Sequence, residues 1–304
     1  MDRPRLLVDC DPGIDDAFAL LCALTYGNLT AVTTVSGNVP VENTTRNARW
    51  ILELAGAGHV PVHPGSSEPL KVAPAFASEI HGRSGLGAFE TPEPTTPASS
   101  TGALEAITHH CEPGDAIIIA IGPLTNIARA LIDDPSLAQR IGHLHWMGGS
   151  ATAGNTTAHG EFNAWADPHA VAVVLQSGCA MSMYGLDLTY QVRLNEVAIA
   201  SLREAGTATS THLADFLSHY RSTASSAQEG QPIHDACAVL GASHHDLFTR
   251  TPSHIVIEAE SVDKRGKTTV SEAPEAPHNH VHTAAADSVR PLILRAAINP
   301  EPLR

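Results

Sequence analysis

The chain has 304 residues, of which 43% are hydrophobic and 16% charged, enough apolar sequence for the core of one large α/β domain. Its formal net charge of −14 argues against nucleic acids and anionic membranes as partners, because both attract basic surfaces. Aromatic residues make up only 4% of the chain, so stacking platforms for nucleic-acid strands are scarce.

The cysteine pattern and the absence of long apolar runs bear on the compartment. The five cysteines are scattered and form no Cys-x-x-Cys pair, which favours buried thiols over a disulfide framework or a zinc site. No apolar run approaches the roughly 20 residues that a membrane-spanning helix needs. The sequence opens without a charged-then-apolar signal segment. These features predict a cytoplasmic protein.

Short apolar strands alternate with helical patterns along the chain. Strands are predicted at 6–8, 29–35, 60–63, 116–121, 141–147 and 181–185, helices at 14–24, 43–54, 104–110, 124–131, 170–176 and 235–243, mostly helical patterns over 195–220, and a final strand pair at 255–258 and 281–284. The continuously apolar segment 116–121 is typical of a parallel sheet covered on both faces. We therefore predict one α/β domain over residues 1–304, with a doubly wound, mostly parallel sheet and helices on both faces.

A cluster of carboxylates follows the first predicted strand, where Pro12 and Gly13 separate it from the first helix. The four acids are Asp9, Asp11, Asp15 and Asp16. Packed carboxylates repel one another, and no Lys or Arg occurs between Arg5 and Arg46 to offset them. A bound hard cation such as Ca²⁺ or Mg²⁺ fits these oxygen ligands. A solvated acidic turn with helix capping is the alternative.

Polar residues also follow other predicted strands, where doubly wound folds bind ligands. Thr125 comes after the strand at 116–121, and is either a helix N-cap or a residue whose carbonyl faces a metal. The segment from Met147 to Asn163 contains Asn and Glu side chains that suit sugar hydroxyls, or it is simply a polar loop. Asp235, next to His234, is either a helix cap or a further cation ligand.

These blocks together resemble the inosine–uridine-type nucleoside hydrolases, in the branch that carries a histidine. The matching stretches are 9–17 (DCDPGIDDA), 36–38 (SGN), 81–86 (HGRSGL), 122–128 (GPLTNIA), 147–149 (MGG), 161–163 (EFN) and 234–237 (HDAC). They occur in the family's order over about residues 5–245. The resemblance implies the family's doubly wound fold and Ca²⁺-dependent hydrolysis of ribonucleosides to ribose and free base.

The resemblance also assigns catalytic and metal-binding roles. The Ca²⁺ ligands would be Asp11, Asp16, the Thr125 carbonyl and Asp235. Asp11 would also act as the general base, taking a proton from the metal-bound water. His234 would be the proton donor to the leaving base.

Further residues would hold the ribose. By the same resemblance Asp15 binds the 2′-hydroxyl with Asn38 nearby, Asn163 binds the 3′-hydroxyl, Asn155 and Glu161 bind the 5′-hydroxyl, Met147 lines the ribose, and His81 lies on a flexible loop over the pocket. Mobile loops are expected at about 74–90 and 220–232. The family is commonly a homodimer or homotetramer, and a small ribonucleoside is the expected partner.

Two other interpretations remain open. A phosphatase of the haloacid-dehalogenase type also opens with a strand and Asp-x-Asp, but segment 11–41 lacks the lysine that such enzymes use. A non-catalytic nucleoside or sugar sensor could share the fold. The preferred base stays open, because the stretch after Tyr220 is small and polar where many members of the histidine branch carry tyrosines. The segment at 274–282, rich in proline and histidine, has no assigned role.

Overall fold

The computed structural model describes residues 3–112, 114–223 and 229–303. Its strands are β1 (Arg5–Cys10), β2 (Asn28–Thr34), β3 (Val62–Pro64), β4 (Ala116–Ala120), β5 (Ile141–Met147), β6 (Met181–Tyr184), β7 (Arg193–Leu194), β8 (Gln231–Pro232), β9 (Phe248–Ile257), β10 (Thr268–Glu272) and β11 (His278–Ala284). Each strand that the sequence predicts is present, with ends shifted by a few residues.

The helices alternate with these strands. They are α1 (Ile14–Tyr26), α2 (Val41–Leu54), α3 (Ser78–His81), α4 (Ala103–His110), α5 (Thr125–Asp133), α6 (Leu137–Arg140), α7 (Phe162–Ala166), α8 (Pro168–Gln176), α9 (Leu186–Thr189), α10 (Glu196–Ala205), α11 (Ala208–Thr223), α12 (Ala236–Ser243) and α13 (Ala286–Ile298), with a 3₁₀ turn at His245–Leu247. Among the described residues, no helix is long and apolar enough to cross a membrane.

Nine strands form one sheet in the order β10-β9-β11-β6-β5-β4-β1-β2-β3. The seven strands from β11 to β3 run parallel to one another, and β9 is antiparallel to both of its neighbours. The short strands β7 and β8 pair separately. A mostly parallel sheet is therefore confirmed.

The position of β1 determines where a ligand can enter. From β1 the chain proceeds outward through β2 to β3, and then returns to β4 on the other side of β1. This reversal of strand order separates the loops that follow β1 and β4. In doubly wound sheets such a switch point opens a crevice beyond the carboxyl ends of the strands.

Side chains of the central strands alternate between two buried apolar clusters. Val8 and Ile119 belong to the cluster that includes α1, α2, α12 and α13, whereas Leu7 and Ile118 belong to the cluster with α4, α5 and α8. Full burial of each such side chain contributes about 1.5–3 kcal/mol. Helices therefore cover both faces of the sheet, as the continuously apolar strands predict.

The C-terminal region departs most from the sequence-based prediction. Strands β9 and β11 form the expected pair, but Ile255 pairs with Val270 of the unpredicted strand β10. Helix α13 also escapes prediction, because Pro291 interrupts an otherwise helical spacing of apolar residues. The segment at 274–282 becomes the turn before β11 and part of that strand. Residues 224–228 of the expected mobile loop 220–232 lie outside the described residues.

Candidate active site

A pocket of about 380 Å³ brings together most of the residues singled out in the sequence. Its lining includes Asp15, Asn38, His81, Met147, Asn155, Glu161, Asn163, His234 and Asp235. The other three predicted site residues, Asp11, Asp16 and Thr125, are almost fully buried and do not line this pocket. Residues from seven separated sequence blocks therefore converge on one place.

Asp11 follows β1 directly and keeps one carboxylate oxygen without a partner. Its Oδ2 accepts a hydrogen bond of 2.7 Å from the backbone N–H of Asn38, whereas the buried Oδ1 has no hydrogen-bond partner. The approach to Asn38 is possible because residue 37 is glycine, where a Cβ would lie 2.0 Å from Oδ2. Burial and the charge of Asp16 raise the pKa of Asp11 well above its ordinary value. The free oxygen and the raised pKa suit a proton acceptor.

Three further carboxylates converge beside Asp11. Ligand atoms of Asp15, Asp16 and Asp235 lie within 4.8 Å of one another. Burial and the charge of Asp16 raise the pKa of Asp15 to about 7, and burial raises that of Asp16 to about 6. Burial and the charges of Asp15, Asp16 and Asp11 raise the pKa of Asp235 well above its ordinary value. None of the ion pairs among the described residues offsets these charges.

This donor set fits a hard divalent cation. Converging carboxylate oxygens without a protein cation, and the unpartnered Oδ1 of Asp11, are what such an ion would satisfy. Asp15, which the resemblance assigns to the ribose, lies in this group of three carboxylates, whereas Asp11 does not. The ligand set taken from the resemblance and the identity of the ion stay predictions.

The helix-cap alternatives turn out differently for the two distant candidate ligands. Thr125 is the first residue of α5 rather than its N-cap, and its hydroxyl donates a hydrogen bond of 2.8 Å to Asp167. Asp235 occupies the N-cap position of α12, but its side chain makes no capping hydrogen bond. The metal-binding roles of both residues stay predictions.

Asp9 supports the cluster from within β1. One of its oxygens accepts hydrogen bonds from Thr33 (2.6 Å) and Asn126 (2.7 Å). Asn126 also accepts a hydrogen bond from the backbone N–H of Ser66 through its own oxygen. These contacts fasten the ends of β1 and β2 to the start of α5.

The polar residues of the Met147–Asn163 segment form one wall of the pocket. Asn163 donates from Nδ2 to the backbone oxygens of Ile121 (2.9 Å) and Met147 (3.1 Å), so its Oδ1 remains as the acceptor. Glu161 caps α7, and its carboxylate accepts hydrogen bonds from the backbone N–H groups of Gly149, Asn163 and Ala164. Burial raises the pKa of Glu161 to about 7. Both side chains are held rigidly by backbone.

Asn155 lies at the exposed rim of this wall. Its Oδ1 accepts a hydrogen bond of 3.0 Å from the backbone N–H of Phe162. The alternative of an ordinary polar loop is wrong for Glu161 and Asn163, which are buried and line the pocket, and Asn155 lines it too.

His81 connects the long loop to the acid cluster. It lies at the end of α3, and its Nδ1 accepts a hydrogen bond of 3.1 Å from the backbone N–H of Ile14 at the start of α1. Burial, together with the charge of His219, lowers the pKa of His81 to about 4. Gly13 permits this contact, since a Cβ there would lie 2.5 Å from the His81 ring.

His234 contacts Tyr190, and together with Tyr220 these residues line the part of the pocket that we call the aromatic wall. Its Nδ1 lies 2.6 Å from the Thr189 hydroxyl, and its ring centroid lies 5.3 Å from that of Tyr190. Burial lowers the pKa of His234 to about 3, with the charges of Arg193 and His81 adding to the effect. Tyr220 also lines the pocket, 5.7 Å from the His81 ring centroid.

Several lining residues have no signal in the sequence. Apart from Tyr220, residues of this wall such as Tyr190, Arg193, Gln231 and Pro232 belong to no motif that we recognised. They lie at the pocket because the two-residue strands β7 and β8 pair with each other. An isolated Arg in a strongly acidic chain was the available hint at Arg193.

Known proteins similar in sequence to this chain are nucleoside hydrolases. The sequence profile of the family described as "Inosine-uridine preferring nucleoside hydrolase" matches residues 6–290. The "Non-specific ribonucleoside hydrolase RihC" of Shigella dysenteriae serotype 1 is 40% identical over 272 residues, which is 88% of each chain. The protein of the same name from Escherichia coli strain SMS-3-5 is 40% identical over 274 residues, again 88% of each chain.

Solved structures give the same result. The "Plant nucleoside hydrolase - PpNRh1 enzyme" is 25% identical with a TM-score of 0.92, covering 98% of this chain and 100% of its own. The "Purine-Preferring Ribonucleoside Hydrolase from Gardnerella vaginalis" is 28% identical with a TM-score of 0.92, covering 98% of this chain and 99% of its own. The chain therefore belongs to the inosine-uridine preferring nucleoside hydrolase family, which confirms the resemblance and the prediction of a ribonucleoside hydrolase.

Proposed function

We propose that this protein hydrolyses the N-glycosidic bond of ribonucleosides in a Ca²⁺-dependent reaction, with Asp11 activating the attacking water. The observation that carries this proposal is the convergence of the ribose-binding candidates on one pocket beside a buried carboxylate cluster. Membership of a nucleoside hydrolase family supports it. The haloacid-dehalogenase alternative is not supported, because neither the fold nor the family is of that type.

The sugar is held by groups whose own positions are fixed. Asp15 and Asn38 would take the 2′-hydroxyl, the free Oδ1 of Asn163 would accept from the 3′-hydroxyl, and Glu161 with Asn155 would hold the 5′-hydroxyl. Backbone hydrogen bonds to Glu161 and Asn163 fix these side chains before substrate binds, so little orientation is lost on binding.

The carboxylate cluster suits the chemistry at C1′. Cleavage of the N-glycosidic bond passes through an oxocarbenium-like transition state, and the positive charge on the ribose is stabilised by nearby carboxylates. A bound Ca²⁺ supplies positive charge that lowers the pKa of a water molecule. The free Oδ1 of Asp11 accepts the proton of the attacking water. Asp16, Asp235 and the Thr125 carbonyl would hold the ion with Asp11.

The base leaves toward the aromatic wall. His234 would donate a hydrogen bond or proton to the departing base, with its ring oriented by Thr189. The relatives named non-specific ribonucleoside hydrolases support the acceptance of several bases. The pocket lining fits a ribonucleoside, and we propose that it accepts purine and pyrimidine ribonucleosides.

A kinetic panel tests the reaction. We expect the purified protein to release free base and ribose from inosine, uridine, cytidine or adenosine, and to release far less from the 2′-deoxy forms. A missing 2′-hydroxyl leaves buried polar groups unpaired, which costs about 10⁴-fold or more where a site is built around that group. Nucleoside binding without turnover would instead identify a non-catalytic sensor.

Removal of metal tests the cofactor. Prolonged chelation should abolish turnover, and Ca²⁺ should restore it more effectively than Mg²⁺, because a site of several buried carboxylates suits the larger and more flexibly coordinated ion. Turnover by fully demetallated protein would contradict the Ca²⁺ proposal.

Assembly and location complete the proposal. We propose a homodimer or homotetramer in the cytoplasm, made of single-domain subunits with a mobile loop at 74–90. Light scattering on the purified protein measures the mass of the assembly, and a monomer at micromolar concentration would contradict this part of the proposal.

A further inference from the structure

Arg193 places a positive charge on the lining of the pocket. It lies in β7, next to Pro232 of β8, and both residues line the pocket. The side chain is about four-fifths buried, with a relative exposure of 20%. Arginine remains charged at every pH at which proteins are folded.

The guanidinium is held in place by two backbone carbonyls. Its Nε donates to the Tyr190 carbonyl (3.0 Å) and its Nη1 donates to the Gly230 carbonyl (3.1 Å). Its carbon Cζ lies 5.1 Å from the centroid of the Tyr190 ring. Among the described residues, Nη2 makes only a long approach of 3.9 Å to Glu229, whose side chain is 72% exposed. Such an exposed pair offsets little charge.

The pocket lining therefore carries both signs of charge. Asp15 and Asp235 line the pocket, and so does Arg193, which lies beside Tyr190, whose ring contacts His234. Heterolysis of the N-glycosidic bond also creates charges of both signs, because the electron pair leaves with the base and the ribose becomes positive. Fixed charges aimed at developing charges lower the barrier without reorganisation.

We propose that Arg193 is a further catalytic residue, whose guanidinium stabilises the negative charge that develops on the departing base. This inference rests on the proposed function. The C1′–N bond breaks with its electron pair going to the base nitrogen, and water supplies the hydroxyl group at C1′. One proton of that water passes to Asp11, and His234 donates a proton to the base nitrogen. The proton on Asp11 is then released to solvent and His234 takes one back, so nucleoside and water give ribose and neutral base.

The test separates leaving-group chemistry from sugar chemistry. Arg193→Gln removes the charge and keeps much of the shape, and Arg193→Lys keeps the charge. Both are compared with wild type on inosine, uridine and a series of substituted phenyl ribosides that ends with nitrophenyl riboside. Arg203→Gln is the matched control, because Arg203 lies outside the pocket lining with a side-chain exposure of 58%.

We expect Arg193→Gln to lower kcat/KM for inosine and uridine by about 10–100-fold, somewhat less than the loss of a fully buried oxyanion donor. Nitrophenyl riboside, whose leaving group already stabilises its charge, should lose less than about threefold. The dependence of rate on leaving-group pKa should become steeper in Arg193→Gln, and Arg193→Lys should recover most of the loss.

Equal losses on nucleosides and on nitrophenyl riboside would overturn the assignment, since they would indicate a purely structural role for the hydrogen bonds to Tyr190 and Gly230. The assignment is also overturned if Arg193→Lys does not recover the nucleoside rate while the dependence of rate on leaving-group pKa stays the same as in wild type. If Arg193→Gln does not fold, the same comparison is made on Arg193→Met, which also removes the charge, and an unchanged leaving-group dependence there overturns the assignment. Wild-type protein inactive on every riboside would instead contradict the proposed function itself.

Discussion

Two groups of residues at the pocket, the carboxylate end and the aromatic end, differ in how the chain builds them. The carboxylate end, with Asp11, Asp15, Asp16 and Asp235, is almost fully buried, and Asp11 is held by a hydrogen bond from the backbone N–H of Asn38. The aromatic end combines the buried Tyr220 and His234 with the more exposed Tyr190 and Arg193, and Arg193 is placed by the pairing of the two-residue strands β7 and β8. The carboxylate end suits the ribose, which all ribonucleosides share, and the aromatic end suits the base, which varies.

This difference leads to distinct expectations for mutations. Changes at the carboxylate end should affect every substrate alike, because the ribose is common to all of them. Changes at the aromatic end should depend on the leaving group. Variants at each end test whether the effects of mutations differ in this way.

Asp11→Asn should give the largest effect. The variant keeps an oxygen to accept from the Asn38 N–H but loses the proton acceptor, so we expect kcat to fall by about 10²–10⁴-fold on all substrates, nitrophenyl riboside included. Calorimetry should still detect ribose binding. Unchanged turnover would remove Asp11 from the role of base, and a loss limited to nucleosides would erase the distinction between the two ends.

The carboxylate end should also couple Ca²⁺ binding to pH. The pKa of Asp15 is raised to about 7 and that of Asp16 to about 6, so without a cation these groups favour the folded state below about pH 4 and lose that contribution as pH rises toward 7. A cation requires the ionised carboxylates. Stabilisation by Ca²⁺ should therefore grow over the same interval.

Thermal unfolding with Ca²⁺ and with chelator, at pH 5 and at pH 8, measures this coupling. We expect the Ca²⁺-induced rise in Tm to be larger at pH 8, by on the order of 5 °C. Asp16→Asn should reduce the difference, whereas replacement of the exposed Asp134 should not. An equal rise in Tm on adding Ca²⁺ at both pH values would show that the ion does not bind these carboxylates.

At the aromatic end, His234→Ala should reduce kcat/KM for inosine and uridine by about 10–100-fold, at the lower range of proton-transfer effects. Nitrophenyl riboside should be much less affected, because its leaving group needs no proton. His109→Ala serves as the control, since His109 is exposed on α4 and paired with Glu112. Equal losses on both kinds of substrate would remove His234 from the role of donor.

The same division separates what the sequence predicts from what it does not. The carboxylates at 9–16 lie at the end of β1 and on both sides of the Pro12-Gly13 turn, so their convergence is visible in a short stretch of chain. Thr125 and Asp235 lie far from them in sequence, and could be placed only through a family resemblance and the rule that strand ends gather at one edge. Arg193 and Tyr190 belong to no motif, and reach the pocket only through tertiary pairing that no local pattern encodes.

The sequence-based prediction of the C-terminal region failed for a related reason. The alternation in β10 covers five residues and sits between turns, too short to distinguish from a loop. Helix α13 contains Pro291, which normally ends a helix, yet Val289 and Ile293 are fully buried. Tertiary packing outweighs local propensity in both places.

Thr189→Val should give the smallest effect and the most specific one. The substitution keeps the shape of the side chain and removes the hydroxyl that lies 2.6 Å from Nδ1 of His234. One hydrogen bond of this kind contributes about 0.5–1.5 kcal/mol, so we expect nucleoside kcat/KM to fall about 2–10-fold with little change for nitrophenyl riboside. Thr189→Ser, which restores the hydroxyl, should recover the nucleoside rate. A similar loss in both variants would show that packing of the Thr189 side chain, rather than orientation of the His234 ring, is what Thr189 contributes.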